Sequence, residues 1–438
     1  MRLTARAGPA LKGRARPPGD KSISHRALIL GALAHGTTEI EGLLEADDVL
    51  RTAGAVRALG ARDLRLGPGA WRVTGVGALR QAPGPIDCGN SGTGVRLLMG
   101  AAAGFPIETR FTGDASLSRR PMTRVLEPLE RMGARAATSE GGRLPLTLTG
   151  GALRAISYRL PVASAQVKSA ILLAALRTSG ETTEVIEPQR SRDHTERMLG
   201  AFGVELIASN EGAGRRLRLV GGQELGATQV HVPSDPSSAA FPIAAALLVP
   251  GSEVLLQNVL INPLRTGLFD SLREMGADIT MERKRDLGGE RVADLLVRAS
   301  ALKAVSPPAA RAPAMIDEFP ILAALAAFAE GESVLSGAEE LRVKESDRIA
   351  LMVQGLRACG VDADETPDGM IVRGCGAGNV KGGAEVHTGG DHRIAMSFLM
   401  LGLAAQEPVV VDEADMIATS FPNFQNFMRA LNADIASV

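Results

Sequence analysis

VRALGAR at residues 56–62 returns five times along the chain: LERMGAR at 129–135, LGAFGVE at 199–205, LREMGAD at 272–278, LRACGVD at 356–362 and MRALNAD at 428–434. Aligned on Gly60, Gly133, Gly203, Gly276, Gly360 and Asn432, the copies lie 73, 70, 73, 84 and 72 residues apart, close to one sixth of the 438-residue chain. Each copy reads as the end of an amphipathic helix. A Gly or Asn then supplies the left-handed cap, and the following residues start a strand.

The other half of the repeat is a longer apolar helix, expected at 24–36, 93–105, 166–180, 238–251, 318–331 and 392–406. These segments are apolar on nearly every side, so they belong in the middle of a lobe and not on its surface. Short strands follow, as in TTEIEGL, TTEVIEP, SEVLLQNV and ESVLSGA. A solenoid is disfavoured, because its repeats usually run about 20–50 residues and leave no place for a buried helix. The expectation is an α/β fold of two lobes, with six repeated α/β units, three per lobe, around buried helices. Pro, Gly and Ser concentrate near Gly19–Asp20 and Val232–Asp235, so the lobes are placed at 20–232 and at 1–19 plus 233–438.

Composition narrows the class. Hydrophobic residues make up 45% against 22% charged, enough for a large core, and a net charge of −1 excludes a surface made wholly for nucleic acid. Any anion site must be a pocket. Three cysteines, Cys88, Cys359 and Cys375, without a CxxC pair suit a reducing cytoplasm and support neither a disulfide framework nor a zinc knuckle. The apolar runs Ala239–Val249 and Ile321–Ala329 are shorter than the ~20 residues of a membrane span, and MRLTARAGPALKGR lacks an apolar signal core. A cytoplasmic location is expected.

The residues that carry chemistry gather at the starts of the apolar helices: GDKSISHR (19–26), CGNSGTGVR (88–96), ASAQVK (163–168), SDPSS (234–238), IDEF (316–319) and GGDHR (389–393). A helix N-terminus offers unpaired N–H groups and partial positive charge, which suits an anion. Lys21, Arg26, Arg96, Lys168 and Arg393 add cations there, so the expected ligand is small and multiply anionic. Ser22, Thr93, Ser164, Ser237 and Asp317 each have ordinary N-cap composition. Basic residues beside an apolar helix, however, are costly unless paired, which favours function.

Three charge-dense stretches, 117–124, 189–197 and 340–348, lie elsewhere. Arg190, Arg197 and Arg342 suit a solvated face, whereas Arg120, Arg192, Lys344 and Arg348 follow short strands and turns, where loops can face a cleft. GDKS lacks P-loop spacing and GNSGTG is not GxGxxG, so nucleotide binding is weakly supported. The six histidines lack HExxH or HxH spacing and no GxSxG elbow occurs, so no metal and no hydrolase nucleophile are expected.

GDKSISHR, GNSGTGVRL, GDASLSRRPM, ASAQVKSAILLA, RDHTE, MIDEFPILA, ELRVKESDR and DHRIAMSF, in this order, closely resemble the 3-phosphoshikimate 1-carboxyvinyltransferase (EPSP synthase) family of enolpyruvyl transferases, from about residue 12 onward. The resemblance implies transfer of enolpyruvate from phosphoenolpyruvate to the 5-hydroxyl of shikimate 3-phosphate, with release of phosphate, in the shikimate pathway. It implies no cofactor or metal, small-molecule partners only, no nucleic acid or membrane, and a monomer. By motif, Lys21, Ser22, Arg26, Ser164, Gln166, Arg192, Asp317 and Lys344 would hold shikimate 3-phosphate. Lys21, Gly92, Arg120, Gln166, Arg348 and Arg393 would hold phosphoenolpyruvate. Asp317 would act as base, and Glu345 with Lys21 would deliver the proton.

Two departures qualify the match. Thr419 and Ser420 precede Phe421–Pro422 where some relatives carry a lysine, so no cation is transferred there. Gly92 stands where glyphosate-tolerant relatives have alanine, so sensitivity to glyphosate is expected. The nearest alternative is the enolpyruvyl transferase of UDP-N-acetylglucosamine, but that family's loop cysteine is missing from GDASLSRRPM. A non-catalytic anion-binding paralogue is the other alternative, although no charge of the expected set is lost.

Overall fold

All six cap positions of the repeat adopt the left-handed backbone. In the computed structural model, which describes residues 1–438, φ is 107° at Gly60, 119° at Gly133, 88° at Gly203, 86° at Gly276, 82° at Gly360 and 71° at Asn432. Side chains with a Cβ are strained there, which explains why only Gly and Asn occupy the position. The helix before each cap is amphipathic as read. In Thr123–Met132, for example, Val125, Leu126, Leu129 and Met132 are buried and form one stripe.

The chain divides into two compact units, Gly19–Val232 with Leu287–Glu290, and Met1–Pro18 with Pro233–Asp286 and Arg291–Val438. The first holds the apolar helices Lys21–Leu33, Gly92–Ala103 and Ala165–Ala175, and the second holds Pro236–Leu248, Phe319–Ala326 and His392–Gly402. Almost every residue of these six helices is buried. Small residues let them pack closely: a Cβ on Gly100 would lie 2.4–2.8 Å from the backbone of Ala170, so these two helices touch backbone to backbone.

Each repeat adds one small sheet, giving five of four strands and one of three. In the first, Thr37–Glu41 pairs antiparallel with Ala70–Thr74, and Thr38, Ile40, Trp71 and Val73 point inward. That sheet is completed in parallel by Gln229–His231, from the far end of the same unit. In the other unit, Lys12–Ala15 pairs in parallel with Glu253–Leu260, and Leu3–Ala5 lies between Val409–Val411 and Ile435–Ser437. The architecture is a mixed α/β fold of six repeated units around buried helices. No helix is long and apolar enough to cross a membrane.

The helix starts differ in detail from the sequence reading. Asp20, Ser91, Ser164, Asp235 and Asp391 are the capping side chains, accepting from the N–H of Ile23, Gly94, Val167, Ser237 and Arg393. Ser164 thus caps as its composition suggests, but Ser22, Thr93 and Ser237 lie inside the first turn. Asp317 sits in the 3-10 turn Ile316–Glu318 that leads into Phe319–Ala326. An Asp or Ser two residues upstream reaches the orphan N–H groups first, so the later side chains are left for other contacts.

Candidate active site

Capping of Lys21–Leu33 by Asp20 puts Lys21, Ser22 and Arg26 on the first turns of a buried helix. Lys21 forms an ion pair with Asp48, whose side chain is only 3% exposed. A buried carboxylate gains from holding that ammonium close. Arg26 is 3% exposed, and its guanidinium donates to Thr195 Oγ1 at 2.7 Å, to Ser169 Oγ at 2.8 Å and to the Ser22 carbonyl at 2.9 Å. Two hydroxyls and a carbonyl therefore fix its plane. These contacts orient the guanidinium.

The turn before Gly92–Ala103 builds a second cationic group. Arg96 donates to the Gly92 carbonyl at 3.1 Å and to Gln166 Oε1 at 2.9 Å, while Gln166 donates to Thr93 Oγ1 at 2.9 Å. Arg120 donates to Asn90 Oδ1 at 2.7 Å and to Ser116 Oγ at 3.1 Å. A Cβ on Gly92 would lie 2.8 Å from Arg96 and 3.1 Å from Arg120, so both guanidiniums converge on this glycine. Ser164 and Gln166 stand together at the start of Ala165–Ala175. Arg192 lies half-buried in the loop leading to His194–Ala201.

Lys168 does not belong with these cations. Its Nζ lies 3.1 Å from Glu187 and 2.7 Å from Glu196, and neither Lys168 nor Glu187 is exposed. The ammonium is neutralised in the interior, so it anchors the loop that carries Arg192. Ser191 helps, donating through N and Oγ to Glu187. Burial raises the Glu187 pKa, with Lys168 pulling it down.

In the second unit, Asp317, Glu345, Arg348 and Arg393 come together around Asp391. Arg348, 1% exposed, donates to Asp391 at 2.7 Å and to Glu345 at 2.5 Å, and lies 3.5 Å from Asp317. Burial disfavours its charge, but Asp391, Glu345 and Asp317 outweigh this and raise its pKa. Arg393 donates to the Asp317 carbonyl at 3.2 Å, with Nε 4.0 Å from Asp317 Oδ1. Lys344 is half-buried beside Glu345, with Nζ 4.0 Å from Glu340.

Asp391 and Asp48, which the sequence reading does not single out, join these groups. DHR contains Asp391, but only the structure shows that it caps a helix, takes the Ser346 hydroxyl at 3.1 Å and holds Arg348 at once. Burial raises the Asp391 pKa, but Arg348 together with His392 outweighs it, and the net shift is downward. Arg342 bonds Asp347, Glu365 and the carbonyls of Thr366 and Pro367, as suits a structural surface charge.

Asp193, His194 and Glu290 approach one another at metal-ligand spacing, as do His387, Asp412 and Glu413. Arg197 already lies 3.0 Å from Asp193 and 3.6 Å from Glu290, and its charge opposes a cation in the first group. Cys88 is buried outside the segment 113–122, which holds the short helix Ala115–Arg119, and burial pushes its thiol up to about 12.

A family model described as EPSP synthase (3-phosphoshikimate 1-carboxyvinyltransferase) matches residues 5–428. The 3-phosphoshikimate 1-carboxyvinyltransferase of Phenylobacterium zucineum is 61% identical over 433 residues, covering 99% of this chain and 95% of the relative. That of Caulobacter vibrioides is 60% identical over 438 residues, covering 99% and 98%. Among solved structures, EPSP synthase from Acinetobacter baumannii superposes with a TM-score of 0.87 at 44% identity, over 100% of both chains. The enolpyruvyl transferase NikO from Streptomyces tendae gives 0.77 at 19% identity over 99% and 98%, a likeness of fold alone.

Proposed function

Since the chain belongs to the EPSP synthase family, we infer that it transfers the enolpyruvyl group of phosphoenolpyruvate to the 5-hydroxyl of shikimate 3-phosphate, releasing phosphate, in the shikimate pathway. Identity near 60% over almost the whole chain carries this reading. Both substrates bear a carboxylate and a phosphate, and the site groups have the matching chemistry. Guanidiniums oriented by neutral hydroxyls and amides, as at Arg26 and Arg120, suit an incoming anion.

The residue roles are our proposal. Lys21 serves both substrates. Ser22, Arg26, Ser164, Gln166, Arg192, Asp317 and Lys344 hold shikimate 3-phosphate, while Gly92, Arg120, Gln166, Arg348 and Arg393 hold phosphoenolpyruvate. Asp317 takes the proton of the 5-hydroxyl as its oxygen bonds to C2 of phosphoenolpyruvate. Glu345 and Lys21 deliver a proton to the methylene carbon, giving a tetrahedral intermediate with a methyl group. Loss of a methyl proton then expels phosphate and restores the double bond.

The cluster in the second unit supports acid–base work. Arg348 and Arg393 stand against the carboxylates of Asp317, Glu345 and Asp391, so cations do not outnumber carboxylates there. An anion entering such a group favours protonation of one carboxylate, which then becomes an acid at neutral pH.

We place the enzyme in the cytoplasm as a monomer, and its three free cysteines suit a reducing compartment. The deciding assay measures phosphate release from phosphoenolpyruvate with shikimate 3-phosphate or UDP-N-acetylglucosamine as acceptor. Turnover is expected with the first only. Turnover with the second alone, or ligand binding without phosphate release, would overturn the reading.

A further inference from the structure

His25 lies in the GDKSISHR segment, between the cations Lys21 and Arg26, yet none of the proposed roles uses it. Its ring is fully buried. Nδ1 lies 2.8 Å from Thr52 Oγ1, on the helix Asp47–Ala58 that also carries Asp48, the partner of Lys21. Nε2 lies 3.3 Å from Ser91 Oγ, the hydroxyl that caps Gly92–Ala103 by accepting from the Gly94 N–H at 3.0 Å. The imidazole therefore touches two elements besides its own.

The hydrogens can be placed by accounting for donors. Ser91 Oγ already accepts from Gly94, so its proton can go to His25 Nε2. Nε2 is then the acceptor and Nδ1 carries the ring hydrogen, donating to Thr52 Oγ1. Thr52 in turn faces the Asp48 carbonyl at 3.4 Å. One neutral tautomer satisfies the whole chain. Burial, then Lys21 and Arg26, lower the pKa against a small opposing effect of Asp20, consistent with that neutral ring. A Cβ on Gly94 would lie 2.8 Å from both Ser91 Oγ and Thr52 Oγ1, so the two hydroxyls that His25 joins flank the turn closely.

We propose that His25 is a positioning residue whose two ring nitrogens fix the turn 89–94, with Gly92, against the helix that carries Lys21 and Arg26. It does not touch substrate. It sets where Gly92 and the guanidiniums of Arg96 and Arg120 stand relative to Lys21, and so how well the smaller substrate fits. This rests on the assignment of Gly92 and Arg120 to phosphoenolpyruvate.

The test compares His25→Leu, Ser91→Gly and the double variant by steady-state kinetics. Glycine keeps most N-cap stability while removing the hydroxyl. If His25 acts as proposed, each single variant raises KM for phosphoenolpyruvate about tenfold, with KM for shikimate 3-phosphate changed less than about threefold. The double variant is then no worse than His25→Leu, because both remove one link. Unchanged KM values, a parallel rise in both, or effects that multiply in the double variant would overturn the proposal. Should His25→Leu fail to fold, Ser91→Gly decides alone: the selective rise supports the link and its absence refutes it. Lack of phosphate release by the unaltered protein would instead count against the function itself.

Discussion

Arg348 donates through Nε to Asp391 at 2.7 Å, and the two side chains are 1% and 0% exposed. Removing one partner of a buried pair leaves an uncompensated charge, which costs about 3–5 kcal/mol. Glu345 and Asp317 still stand against Arg348, so Asp391→Ala is expected to lower unfolding free energy by no more than that in denaturant titrations. Asp391→Asn retains a cap acceptor for the Arg393 N–H, so its loss should be smaller. With Arg348 no longer anchored by the Asp391 charge and left to Glu345 and Asp317 alone, phosphate release should still fall roughly tenfold to a hundredfold in kcat/KM.

At Gly92, a methyl would meet Arg96 at 2.8 Å and Arg120 at 3.1 Å. Gly92→Ala must push one or both guanidiniums aside. A single methyl group in a pocket discriminates by roughly 10–200-fold, so the inhibition constant of glyphosate should rise by at least about tenfold. KM for phosphoenolpyruvate should rise less. An unchanged inhibition constant would rule out this steric account.

His25 also links stability to pH. Its folded-state pKa is lowered by burial, with Lys21 and Arg26 adding to the effect, while the unfolded residue titrates near 6.5. Below about pH 6.5 the unfolded chain takes up a proton that the folded chain refuses. The contribution is thus complete above that pH and is lost as pH falls, with a slope of at most about 1.4 kcal/mol per pH unit. His387 has the opposite sign, because its hydrogen bond to Asp412 raises its pKa: its contribution is present below about pH 6.5 and lost as pH rises through the folded value. Melting curves of His25→Gln and His387→Ala across this range should separate the two.

Lys168 tests the interior anchor. Lys168→Met leaves Glu187 and Glu196 without their shared ammonium, and a loss of about 3–5 kcal/mol is expected. Adding Glu187→Leu should recover part of it. A melting temperature within a degree or two of the parent for Lys168→Met would contradict the pairing.

Gly100 lies against Ala170, whose backbone atoms stand 2.4–2.8 Å from where a methyl on Gly100 would sit. Gly100→Ala forces the two central helices apart. Overpacking of this kind costs about 1–3 kcal/mol, to be read as a lower midpoint with an unchanged denaturant slope.

Much of this architecture is legible in the sequence because it depends on local rules. A left-handed cap demands Gly or Asn, and an all-round apolar helix demands burial, so periodicity reveals six units. The clusters at helix starts are legible for the same reason. Pairing is not. Glu187 lies 19 residues from Lys168, and Asp391 lies 43 from Arg348, and no local pattern says which buried charges meet. Lys168 and Arg26 look equivalent in sequence, yet Lys168 meets buried carboxylates while Arg26 bonds the hydroxyls of Thr195 and Ser169. Two caps fall two residues upstream of the expected serines because Asp20 and Asp235 share the capping chemistry of Ser22 and Ser237.

The way the sheets are completed sets an order of assembly during synthesis. Gln229–His231 joins Thr37–Glu41, so the three sheets of that unit have all their strands once residue 231 has left the ribosome. Leu3–Ala5 must wait for Ile435–Ser437, more than four hundred residues later. Until then it has no neighbour on that side, and the nascent chain carries a bare strand edge, the kind of surface that chaperones shield.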